Sequence, residues 1–295
     1  GAEHGALDNR TFKARSGLGD ALVRAGRFAS AGTVLLGTIE AARRLPADTG
    51  GILIDVLNEL AALRLNQRRP ADAAPILTEA LQRARQRWGE DAPVSISILG
   101  NLGHAHYLQT KYSEAEPLII ETLKLRRRVQ GERHPGTATA WNNLAAVLQA
   151  QGKHAEAESA ARQALDIYRS HYGDEHQRVA LAMGNLASML LAQGKLVEAE
   201  RLHRDALAIR ERVLVPGHIE IASSYNSLGQ ILEQQGRGAS SEQMYRRALD
   251  VVAKGAGVDS PEGAVFTANL GGLLLNEGRL AEAEKAMRVA LEIQR

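Results

Sequence analysis

The sequence contains no cysteine at all. Disulfides, thiol nucleophiles and cysteine-ligated zinc are excluded with it. Aromatic residues make up only 4% of the chain, while alanine and leucine are abundant, which suits close packing of helices through small side chains. No stretch approaches the ~18 uncharged apolar residues that a membrane span needs, and no signal peptide opens the chain. The first residue is Gly1 rather than Met, so the start reads as trimmed, and a cytoplasmic address is the default expectation. Net charge is only +2 with both signs interspersed, which leaves no clustered basic face for nucleic acid. The densest basic tract, Lys124, Arg126, Arg127 and Arg128, reads as a solvated helix face.

Catalytic signatures are missing as well. No glycine-rich phosphate loop precedes a Lys-Ser or Lys-Thr, and there is no nucleophile elbow. Carboxylates such as Glu156, Glu158, Glu198 and Glu200 read as solvated faces, and nothing assembles a nucleophile, a base and an orienting group. The chain is therefore not expected to be an enzyme or to carry a cofactor. Nine histidines invite a metal hypothesis. His134, His176 and His218 only inherit the spacing of a repeat, and stacked helices hold such positions about 8–10 Å apart. Zinc ligands must each approach one ion to about 2 Å, so these three read as linker residues and no metal is expected. His104 and His106 point about 200° apart on a helix and cannot chelate together.

What the sequence does have is a leucine every 42 residues: Leu18, Leu60, Leu102, Leu144, Leu186, Leu228 and Leu270. The next residue is always glycine or alanine: Gly19, Ala61, Gly103, Ala145, Ala187, Gly229 and Gly271. Thirteen residues beyond each leucine stands Ala31, Ala73, Ala115, Ala157, Ala199, Ser241 or Ala283. A period between 20 and 50 residues marks a stacked array, in which each unit covers the apolar face of its neighbour.

The copy at 138–169 is the cleanest. Trp141, Leu144, Ala145 and Leu148 fall on one helical face, and Gly152 ends that helix. Ala157, Ala161, Ala164, Leu165 and Tyr168 repeat at helical spacing on a second helix. The unit is a helix hairpin, and seven copies predict an all-α solenoid of about 14 antiparallel helices. The expected organisation is an N-terminal tail at 1–11 and one seven-repeat body over 12–295, with repeats starting near 12, 54, 96, 138, 180, 222 and 264. Glycine-rich stretches at 46–51 and 253–263 are expected to be the loosest. Repeats two and three replace a core leucine with Arg64 and His106, as a half-buried polar pair, through a slight helix rotation, or as a polar pocket at the groove wall. Repeat two also lacks the turn glycine and has Arg68-Arg69-Pro70. Repeat six carries Gly238-Ala239-Ser240-Ser241 in place of a bulky anchor. Such copies are expected to be loosened or differently packed.

Taken together, Trp141-Asn142-Asn143-Leu144-Ala145, Gln151-Gly152-Lys153, Glu156-Ala157-Glu158, Ala164 through Tyr168, Gly173 and His176 resemble the tetratricopeptide repeat. The length matches its 42-residue, kinesin-light-chain-like form, which has many bacterial relatives. The resemblance implies a right-handed superhelix whose first helices line a concave groove, and a role in holding proteins or peptides. On the first helices, Asn101, Asn143, Asn185 and Asn269 stand just before the repeat leucine, with Gly17, Glu59 and Ser227 in other copies. Asparagine is a mediocre helix former, so a recurring mid-helix asparagine needs a reason. One reason is that its amide can pair with the N–H and C=O of a bound main chain. The other is that the amides bond neighbouring helices and set the pitch of the stack.

On the first reading the binding residues are Asn101, His104, Tyr107, Asn142, Asn143, Gln149, Asn185, Asn226, Gln230 and Asn269. Charges on this stripe are few, namely Lys13, Asp20, Asp55 and Glu59 near the start and Glu233 near the end, and no Lys/Arg cluster clamps a terminal carboxylate. The expected function is a non-catalytic scaffold for a partner protein or an extended, mostly neutral peptide. The alternative is a regulatory or oligomerisation segment of a larger enzyme or switch protein. Self-association through the C-terminal helix is a further expectation, because Met287, Ala290, Leu291 and Ile293 have no capping helix after them.

Overall fold

The computed structural model describes residues 9–44 and 50–294, and among them the regular structure is fourteen α-helices. The chain divides into two compact units, Gly1–Gln151 and Gly152–Arg295. The first holds α1 (Asn9–Arg24), α2 (Phe28–Arg43), α3 (Gly50–Asn66), α4 (Pro70–Trp88), α5 (Pro93–Leu108), α6 (Tyr112–Gln130) and α7 (Pro135–Ala150). The second holds α8 (His154–Tyr172), α9 (Gln177–Ala192), α10 (Leu196–Val213), α11 (Ile219–Gln234), α12 (Gly238–Lys254), α13 (Pro261–Asn276) and α14 (Leu280–Gln294). Residues 1–8 of the expected tail and most of the expected loose stretch at 46–51 lie outside the described residues.

Within each unit every helix packs on the next in sequence. First helices also meet one another: α1 on α3 and α5 on α7 in one unit, α9 on α11 and α11 on α13 in the other. This nearest-neighbour packing is that of an α-solenoid. The turn inside a hairpin requires a left-handed residue, supplied by Gly26, Gly152, Gly194, Gly236 and Gly278. Where repeats two and three lack that glycine, Arg68 and Thr110 adopt φ of 57° and 61°. The chain keeps the turn geometry in both copies at the cost of backbone strain, which is greater for β-branched Thr110.

The links between repeats turn out to be helix caps. His134, His176 and His218 are the residues just before α7, α9 and α11, and their Nδ1 atoms accept hydrogen bonds from the N–H of Gly136, Arg178 and Glu220 at 3.0, 3.0 and 3.2 Å. Ser260 does the same for α13 through its hydroxyl. A side-chain acceptor here satisfies one of the donors that a helix start leaves open. The repeated histidine is therefore an N-cap rather than a plain linker residue.

Repeat six is not loosened. Its anchor is Tyr245, 1% exposed, lying over Gly229, while the Ser241 hydroxyl donates to the Gly229 carbonyl at 2.8 Å. In the substituted copies earlier in the chain the polar replacements are engaged locally. Arg64 donates to Gln67 at 2.9 Å and His106 lies 3.2 Å from Glu114, so each finds a local partner rather than the other. Leu63, fully buried and one position before Arg64, carries the core of that copy.

Candidate functional site on the first helices

The asparagines form an interhelical ladder in register. Asn101 Nδ2 donates to Asn58 Oδ1 at 3.1 Å, and Asn269 Nδ2 donates to Asn226 Oδ1 at 2.8 Å. Both bonds link the residue just before a repeat leucine to the residue two before the preceding one, 43 positions earlier. Ser16 donates to Glu59 in the same register. For Asn101, Asn226 and Asn269, then, at least part of the amide's bonding capacity goes to setting the stack, the second of the two reasons the sequence allowed. Asn142, Gln149 and Asn185 are engaged by protein contacts as well.

Asn143 is different. The residue 43 positions earlier is Gly100, which has no side chain to offer, and among the described residues the half-buried Asn143 amide has no hydrogen-bond partner. Gln230 on α11 is likewise half-buried and unpaired. Close by in the first unit, α5 carries a ring pair: His104 and Tyr107 stack with centroids 6.1 Å apart, and Tyr107 meets Tyr112 at 5.8 Å. Burial lowers the pKa of His104, so its ring stays neutral near pH 7.

The charged members of the stripe are held by neighbours. Burial raises the pKa of Glu59; the Ser16 hydroxyl opposes that, while Asp55 and Asp20 add to it. Glu233 accepts from the Tyr245 hydroxyl at 2.9 Å and from Asn276 at 3.1 Å. The side chain of Lys13 lies outside the described residues. No group of three or more His, Asp or Glu among the described residues is placed to hold a metal ion. No helix among them is long and apolar enough to cross a membrane.

Two recurring features escaped the sequence reading, although both keep the 42-residue period. Gln109, Gln151, Gln193 and Gln235 end four first helices, and each donates to the carbonyl of the residue opening the previous second helix: Pro70, Tyr112, His154 and Leu196. Glu158 and Glu200, taken as solvated, are only 14% and 16% exposed and sit inside basic clamps. Glu158 receives Lys195 at 2.6 Å and Arg162 at 2.8 Å, and Glu200 receives Arg204 at 2.8 Å, Gln235 at 2.9 Å and Arg237 at 3.1 Å. The Lys195 bond foremost holds the Glu158 carboxyl below its ordinary pKa. At Glu200 burial pushes the pKa up, but the bonds from Arg204, Gln235 and Arg237 outweigh it.

The basic tract is largely neutralised rather than free. Arg127 bonds Glu132 at 2.8 Å, Arg126 reaches Gln130 at 3.2 Å, and Arg128 pairs with Asp91. On α14, Leu280, Met287 and Leu291 together with Leu275 of α13 line an open apolar depression of about 510 Å³.

The tetratricopeptide repeat model matches residues 94–170, 138–212, 177–254 and 220–295, and a second model of the same repeat matches 13–36. No curated protein matches the sequence. Among solved structures, BtubC (BKLC) of P. vanneervenii is 24% identical with a TM-score of 0.66, over 77% of this chain and 91% of that one. Nearly identical kinesin-light-chain repeats from Podosopora anserina are 19% identical with a TM-score of 0.58, over 72% and 98%. A Rap protein complexed with Competence and Sporulation Factor is 15% identical with a TM-score of 0.67, over 97% and 78%. With matched repeats across more than half its length, this chain belongs to the tetratricopeptide repeat family.

Proposed function

We propose that this chain is a non-catalytic scaffold that holds an extended peptide, or an extended segment of a partner protein, along its first helices. The seven repeats read over 12–295 would each supply a first helix to this role. The observation that carries the reading is the presence of half-buried amides with no protein partner, Asn143 on α7 and Gln230 on α11, on a stripe whose other asparagines are engaged. An amide offers a donor and an acceptor side by side, which matches the N–H and C=O of a polypeptide. A Rap protein of similar fold occurs in complex with Competence and Sporulation Factor, which adds support.

The test blocks the stripe without touching the core. Ser223 is exposed on α11 and Ser97 is half-buried on α5, and Gln163 is exposed on α8, a second helix. Peptides selected on the protein from a random dodecapeptide display library should lose at least about tenfold in affinity on Ser97→Arg or Ser223→Arg, roughly 1.4 kcal/mol. They should keep their affinity on Gln163→Arg. Selected peptides indifferent to both stripe variants, or a library that yields no binder, would refute the reading.

A further inference from the structure

The amide ladder has a recurring pattern and one definite vacancy in the first unit. At three places a polar side chain two before the repeat leucine is bonded by the residue 43 positions later: Ser16 with Glu59, Asn58 with Asn101, Asn226 with Asn269. Gly100 breaks the pattern, because it has nothing to offer Asn143. The half-buried Asn143 amide still reaches solvent, so its donors and acceptor are open to a ligand. On α5, in the same repeat as Gly100, the stacked rings of His104 and Tyr107 face the same stripe, and Tyr107 leans on Tyr112. Ser97, Asn101, His104, Tyr107, Thr139 and Asn143 put no formal charge on this stretch of α5 and α7 near pH 7.

Resting on the groove reading above, we infer that the gap at Gly100 makes Asn143 the main-chain anchor of the bound segment, and that this segment is uncharged there and places a ring, aromatic or proline, against His104 and Tyr107. The chemistry agrees at each point. The Asn143 amide can pair in both directions with one peptide unit. Offset stacking on the two rings favours a flat or prolyl side chain. A charged residue would be desolvated on this stretch with no counter-charge. Asn101 and Asn269, whose amides already bond Asn58 and Asn226, act as spacers between helices rather than as anchors.

The deciding variant is Gly100→Asn, which supplies the missing rung. A Cβ at Gly100 would lie 3.3 Å from Thr122 Cγ2, so only a shift of a few tenths of an ångström is needed. The probes are the peptides selected on wild-type protein from the dodecapeptide library. Gly100→Asn is expected to weaken them at least about tenfold while the melting temperature holds or rises, and Asn143→Ala to weaken them equally. Asn101→Ala should leave their affinity within about twofold, within the scatter of such measurements. The selected sequences should share an aromatic residue or proline and lack Asp, Glu, Lys and Arg beside it. If Gly100→Asn lowers the melting temperature, Asn143→Ala alone decides. Full affinity in Asn143→Ala, or a consensus with a charge beside the ring, overturns this inference but leaves the groove reading standing. Peptides that ignore Ser97→Arg and Ser223→Arg overturn both.

Discussion

Tyr245 lies on Gly229 so closely that a Cβ at Gly229 would stand 2.6 Å from Tyr245 Cε1. The same relationship recurs along the chain: a Cβ at Gly19 would meet Leu35 at 2.7 Å, and one at Gly103 would meet Ile119 at 2.8 Å. Sixteen residues separate each of these pairs, and where the first member is alanine, as at Ala145, the second can be as small as Ala161. At Gly19, Gly103 and Gly229 the absent Cβ is thus a size match to the residue across the hairpin, although Ala61 and Ala187 stand opposite the larger Leu77 and His203. Gly229→Ala should gain about 1 kcal/mol of helix propensity yet lose more to overpacking, typically 1–3 kcal/mol. Urea unfolding should show net destabilisation in the wild-type background, turning neutral or favourable when Tyr245→Ala is already present. An additive pair would refute the size match.

His203 occupies the same second-helix position as Tyr245, is 3% exposed, and has no hydrogen bond to either ring nitrogen. Burial, with the nearby Arg210 charge adding to it, lowers its pKa from 6.5 to about 4. A folded pKa below the unfolded one means that the folded state binds fewer protons. The stability of the neutral ring is whole above the unfolded value and is lost as pH falls through 6.5 towards 4. The loss should reach about 2 kcal/mol near pH 5. His203→Leu should flatten the stability profile across that window, and an unchanged difference between pH 7 and pH 5 would count against it.

The histidine caps predict a graded series at one position. His176→Ala should cost about 1 kcal/mol, whereas His176→Ser should restore most of it, since Ser260 performs the same task for α13. Thermal melts of the two variants decide the matter. Equal losses would mean that stacking of His176 on Tyr172, at 4.1 Å between centroids, matters more than the cap.

Thr110 at φ 61° holds a place that glycine takes in five other repeats. Thr110→Gly should stabilise the chain by about 1 kcal/mol, because relief of left-handed strain exceeds the added entropy of the unfolded chain. A lower urea midpoint in the variant would show that the strain is negligible.

The ladder separates two asparagines that look alike in sequence. Asn101→Ala should cost about 0.5–1.5 kcal/mol, the worth of its bond to Asn58, while Asn143→Ala should cost nothing measurable. Matched unfolding curves test this without any ligand. A larger loss in Asn143→Ala would show a hidden partner.

Much of the fold was legible because the information is periodic. Leucines every 42 residues, small residues beside them and glycines at the turns fix helices, hairpins and phase together. The histidine caps and the glutamine struts were equally periodic, but their role lay in which backbone group they reach, and spacing does not carry that. Glu158 and Glu200 misled for a related reason: on a helical wheel they sit on the polar face, while one cation of each clamp, Lys195 and Arg237, comes from the next repeat.

The sequence by itself determined the all-α hairpin array, its phase and its small-residue seams, since local periodicity dictates which face each helix must bury. Only the tertiary structure decided which amides are engaged and which are left over. That depends on the residue opposite, 43 positions away, and a glycine at that distance is what leaves Asn143 free. Hydrogen bonding is a property of pairs, and no single repeat contains both members.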